Sequence, residues 1–116
     1  MNFDFTTARF KHLNWRFRIR NFLDGKETLT HEQATSHTDC ELGKWIYEKA
    51  LKNYANVEAI HQLEKVHKDL HAKIREVIAL KNNGNSKDAE FVLREVFAIS
   101  DEVIFYLDEA EKKVTV

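Results

Sequence analysis

The 116-residue chain has no proline, three glycines and one cysteine. With both strong helix breakers scarce, long helices joined by short loops are expected. A lone cysteine excludes an internal disulfide. The opening Met1-Asn2-Phe3-Asp4-Phe5 lacks the basic stretch and apolar core of a signal peptide, so a reducing cytoplasm is the expected compartment. No apolar run approaches the roughly 20 residues that a membrane span needs. A formal net charge of −1 gives no general argument for a nucleic acid or a membrane surface as partner. The length fits one domain over residues 1–116, enough for a single hydrophobic core.

What the chain does have is helical periodicity. Phe5, Ala8, His12, Trp15, Ile19 and Phe22 recur at steps of three and four, which predicts a first helix over about 5–24. Phe10, Leu13 and Phe17 form a second apolar strip, so this helix is expected to be covered on more than one side. Gly25 suits the residue just past its end. Residues 26–37 are polar and without clear period. A second helix is expected from near Asp39 to about Asn53, with Leu42, Trp45, Ile46 and Ala50 inward and Thr38-Asp39 as a cap. Asn56 is expected to cap a third helix, Val57 to about Asn82, with an inner stripe of Ile60, Leu63, His67, Leu70, Ile74 and Val77. After a turn at Asn82-Asn83-Gly84-Asn85, Ser86 is expected to cap a fourth. Its stripe is Ala89, Val92, Leu93, Val96, Ile99, Val103, Leu107 and Ala110. The fold class is therefore all-α, an antiparallel four-helix bundle.

Against this apolar pattern a few polar residues stand out. His67 and His71 are at i and i+4, one turn apart on one helical face, the spacing by which a helix offers two ligands to one ion. His67 lies on the inner stripe, where an imidazole without a partner costs on the order of 1–3 kcal/mol. His12 lies on the stripe of the first helix. Cys40 falls in the first turn of the second, where the helix dipole favours a thiolate. Three imidazoles and one thiolate are ligands that zinc prefers, which places a candidate Zn2+ site between helices 1, 2 and 3. Gly43 would let another helix come close, with Trp15 and Trp45 walling the site. Taken singly, each residue has a plainer reading: a core histidine is commonly just hydrogen-bonded, and a buried cysteine commonly acts as a small hydrophobe. His31 and His37 lie in the polar connection and His61 sits one position off the inner stripe; solvated roles are expected for all three, with His37 the substitute ligand.

The motifs His12-x-x-Trp15, Cys40-x-Leu42-Gly43-x-Trp45 and His67-x-x-x-His71 together resemble the chemoreceptor zinc-binding domain over residues 12–71. The resemblance implies a four-helix bundle in which His12, Cys40, His67 and His71 bind one zinc. It also implies a cytosolic sensory module in bacterial signalling, usually appended to a chemoreceptor or a diguanylate cyclase. This chain carries neither a methyl-accepting coiled coil nor a cyclase domain, so a free-standing version or an effector on another polypeptide is expected.

Four protein ligands would leave no open position on a tetrahedral zinc, so an enzyme is not expected. A sensor of zinc, or of oxidant through Cys40, fits the ligand set. Two alternatives are a structural zinc clamp in an adaptor and a hemerythrin-like di-iron bundle, which would need further histidines and bridging carboxylates. Arg9, Lys11, Arg16, Arg18 and Arg20 wrap round the first helix at short steps, which favours a salt-bridged face over a nucleic-acid surface. Expected partners are a signalling protein and a second copy, with the Phe10, Leu13, Phe17 strip serving a homodimer or lying under the fourth helix.

Overall fold

The computed structural model describes residues 5–28 and 41–114. Helix α1 is Phe5–Leu23. Helix α2, Glu41–Trp45, runs through a π-helical stretch, Ile46–Ala50, into α3, Leu51–Asn53. Trp45, Ala50 and Leu51 all keep right-handed helical backbone angles, so these pieces form one continuous arm. Helices α4, Glu58–Asn82, and α5, Ser86–Val114, complete the described chain. No helix in the described residues is long and apolar enough to cross a membrane.

Both helix-ending glycines are required by their backbone. Gly25 and Gly84 have φ of 78° and 83°. At α1, the Gly25 amide donates to Phe22 O and the Lys26 amide to Asn21 O. At α4, Gly84 donates to Lys81 O and Asn85 to Leu80 O. These paired bonds close each helix with a left-handed residue that only glycine adopts at little cost. The helix starts fall beside the expected caps. Val57, in extended conformation, precedes α4 in place of Asn56, and its amide closes a turn onto Tyr54 O. Asn85 rather than Ser86 precedes α5, with its carbonyl accepting from the Ala89 amide. The expected start of the second helix, at Thr38 and Asp39, lies outside the described residues.

The α4–α5 turn makes an antiparallel hairpin, the most extensive packing in the molecule. Ile60, Leu63, Val77, Ala89, Val103, Leu107 and Ala110 are wholly excluded from solvent in its seam. Helix α1 lies on α5, and its direction is fixed by a ladder of ion pairs. Arg9 meets Asp108 and Glu111 near the C-terminus of α5, Arg16 meets Asp101, and Arg20 meets Glu90 near its start. As the number rises along α1 it falls along α5, so the two are antiparallel. The arginines expected on a salt-bridged face thus pair mainly with the neighbouring helix; Arg16 also covers the Phe97 ring at 4.8 Å. Helix α2 packs on α1, and the π-helical stretch touches α4.

Two expectations are corrected here. Phe10 and Phe17 are each 72 % exposed and Leu13 is 40 % exposed, so α5 does not cover their strip. It packs instead beside His12, on the face that carries Arg9, Arg16 and Arg20. On α5, Ile99 is only half-buried, and Ser100 takes the fully buried position beside it.

The seam is the part that sustains the fold. Leu63→Ala removes a fully buried side chain and is expected to lower unfolding free energy by about 2–5 kcal/mol in a urea titration followed by circular dichroism. A loss well below about 1 kcal/mol would mean that the α4–α5 seam is not tightly packed.

Candidate metal centre

Three histidines occupy core positions. His12, His67 and His71 are 4 %, 2 % and 3 % exposed, as deeply placed as the aliphatic residues around them. Their helices explain the burial. His12 is four residues after Ala8 and seven before Ile19, on the strip of α1 that faces the core. His67 lies between Leu63 and Leu70 on the inner stripe of α4, and His71 follows one turn later, beside Leu70.

The α4 pair converges. His71 Nε2 lies 3.2 Å from His67 Nε2, with the ring centroids 4.6 Å apart and the ring planes at 75°. Two neutral imidazoles make this contact only if one carries its proton on Nε2 and the other offers a lone pair. A metal ion can take the place of that shared proton. Tetrahedral zinc with bonds of about 2.0–2.1 Å to nitrogen sets two ligand nitrogens about 3.3–3.4 Å apart, so the separation of this pair fits one ion.

His12 is held differently. Its Nε2 lies 2.7 Å from Ser100 Oγ on α5, a hydrogen bond between two buried groups. Burial pushes the His12 imidazole down to about 4, helped by Arg16 and by the effect of charge on His71, against the smaller opposing pull of Ser100 and Asp101. His12 therefore lies within electrostatic reach of the α4 pair. Even so, no group of three or more His, Cys, Asp or Glu side chains placed to hold a metal ion occurs among the described residues. The structure brings His67 and His71 together and leaves His12 bonded to Ser100. Cys40, the expected thiolate ligand, lies outside the described residues, as do His31 and His37.

The expected walls divide. Trp15 lines a small crevice with His12, Ile19, Leu70, Ile74, Val96 and Ser100, and Arg18 stacks over its face at 4.7 Å. Trp45 packs edge-on against Phe5 with centroids 5.1 Å apart, which is two turns of α1, or about 10 Å, before His12. His61 is exposed and its Nε2 meets Ala55 O at 2.7 Å, in keeping with a surface role. Sequence reasoning missed Ser100. The signal was present in the spacing: Leu93, Val96, Ser100, Val103, Leu107 and Ala110 alternate by three and four, and only Ser100 is polar.

The depressed His12 value has a consequence for the metal-free chain. Unfolded, the ring takes up a proton below its ordinary 6.5; folded, only below about 4. Between those values the unfolded chain binds more protons, so stability is full above the window and is lost as pH falls through it. The loss from this residue is expected to reach about 3 kcal/mol at the lower end. Urea unfolding of metal-stripped wild type and His12→Gln across this window checks it: the variant's curve should be flatter, and equal slopes would exclude His12 as the source.

A profile of the chemoreceptor zinc-binding domain family matches residues 12–78, which spans His12, Cys40, His67 and His71 and stops short of α5. Searches of curated proteins and of solved structures found no match.

Proposed function

This chain belongs to the chemoreceptor zinc-binding domain family, and on that premise we propose that His12, Cys40, His67 and His71 hold its one Zn2+. Family membership implies zinc binding in a signalling module. The assignment of ligands is carried by one observation, the approach of the buried His67 and His71 Nε2 atoms to 3.2 Å on one face of α4. His12 joins from α1, buried and within electrostatic reach of His71. Cys40 directly precedes the first residue of α2, a helix that packs on α1.

Bound there, the zinc ion would act as an electrostatic clamp between helices and not as a Lewis acid for substrate, because four protein ligands complete a tetrahedral shell. The protein is accordingly a non-catalytic sensory module. His67 and His71 supply a pair on α4, one of the two helices of the extensively packed α4–α5 seam. His12 supplies the link to α1, and Cys40 the link to the arm that starts with α2. Losing the ion frees α1 and the arm from α4, while the α4–α5 seam stays intact. The same site gives an oxidant a point of attack. A peroxide transfers one oxygen to the Cys40 thiolate and leaves as water or an alcohol, and the sulfenic acid formed is a poorer zinc ligand.

Elemental analysis and chelator-competition titration of the wild type, His71→Ala and Cys40→Ala test the proposal. About one zinc per chain is expected in the wild type, with affinity weakened at least tenfold in each variant. Peroxide treatment is expected to release zinc from the wild type, and Cys40→Ser to lose that response. Zinc retained at full affinity by His71→Ala and Cys40→Ala would overturn the ligand assignment. Two irons per chain would move the protein to the di-iron class.

A further inference from the structure

Helix α5 lies beyond the residues that the family profile matches and supplies none of the four proposed ligands. Yet it places one hydroxyl against the site. Ser100 is wholly excluded from solvent, and its Oγ is 2.7 Å from His12 Nε2. It sits on the α5 seam between Val96 and Val103, both buried aliphatics. An aliphatic side chain at this position would leave Nε2 of the buried His12 ring facing hydrocarbon.

An imidazole has two nitrogens with distinct duties. When one ligates a metal, the other carries the proton and needs an acceptor, which fixes the tautomer and the plane of the ring. Ser100 Oγ, 2.7 Å from Nε2 of His12, is placed to be such an acceptor. With the proton on Nε2, Nδ1 would keep the lone pair.

We propose that Ser100 is a positioning residue for zinc binding: it accepts the Nε2–H of His12, holds the ring in place against α5, and reserves Nδ1 for the ion. The inference rests on His12 being a zinc ligand, the reading given above. It makes α5 a working part of the site, joined to the metal through α1. Two simpler roles give different results. If Ser100 only satisfies a buried ring, its loss affects folding and not metal affinity. If it holds His12 away from the metal, its loss tightens zinc binding.

The test uses the full chain with Zn2+ as the probe, comparing wild type, Ser100→Ala and Val103→Ala by chelator competition. Val103→Ala truncates the same seam without touching His12, so it reports the cost of packing alone. Ser100→Ala is expected to weaken zinc affinity by about 10–100-fold, and to shift the visible bands of the cobalt-substituted protein. Val103→Ala is expected to lower the unfolding temperature and leave affinity and cobalt bands unchanged. Long-range proton–nitrogen NMR of the zinc-loaded wild type is expected to find His12 protonated at Nε2, a readout that needs no variant to fold. Unchanged or tighter zinc binding in Ser100→Ala, or a His12 proton on Nδ1, overturns the proposal while leaving the ligand assignment standing. A wild type that binds no zinc overturns both.

Discussion

The constraint on which this structure turns is the burial of three imidazoles and the Ser100 hydroxyl in a core built mainly of hydrocarbon. Each ring enters the core because its position on a helical stripe demands it, and each must then satisfy a polar atom away from water. His67 and His71 do so against each other on α4. His12 does so across a helix interface, with Ser100 of α5. Burial also keeps His12 neutral well below the pH at which a free histidine takes up a proton. Deeply placed imidazole nitrogens are the kind of donor a zinc ion takes from a protein. The same placement that strains the core therefore prepares the site.

Stability and orientation come from different interactions. The α4–α5 seam excludes a continuous run of aliphatic side chains from solvent and supplies most of the driving force. The Arg9, Arg16 and Arg20 pairs along α1 are partly exposed, and pairs of that kind contribute about 0–1 kcal/mol each. Their value lies in direction and register. Only an antiparallel α1 lets Arg9 reach Asp108 while Arg20 reaches Glu90, and that register sets His12 opposite Ser100. The ladder thus positions a buried contact that it is too weak to maintain alone.

Much of this was legible in the sequence, and the lapses have physical causes. The helices and most buried residues follow from steps of three and four, because burial repeats with the helical turn. Gly25 and Gly84 are legible because a left-handed residue ends both helices. The caps of α4 and α5 miss by one residue, since Val57 and Asn85 close their turns through the backbone as readily as a polar side chain would. Ser100 was passed over for Ile99 because hydrophobicity was allowed to outweigh register. The heptad-like spacing selects Ser100, and a lone polar residue in such a seam marks a partner on the facing helix. Trp45 packs edge-on against Phe5, a ring contact between α1 and α2 that periodicity alone does not specify. For the Phe10, Leu13, Phe17 strip, periodicity left two covers open, a second copy or the fourth helix, and its exposure removes the second.

The packing divides the described chain into a firm α4–α5 hairpin and a first helix held more lightly against it. His67 and His71 belong to α4, which packs against α5 along a long, solvent-excluded seam. His12 belongs to α1, which meets α5 through the buried His12–Ser100 contact and a set of partly exposed ion pairs. Under the proposed ligand set, a zinc ion would tie α1 to α4, and of the two α1 is the helix with less packing against the rest of the described chain. The exposed aromatic residues Phe10 and Phe17 ride on that same helix. A displacement of α1 would therefore also displace an exposed apolar strip, the one formed by Phe10, Leu13 and Phe17.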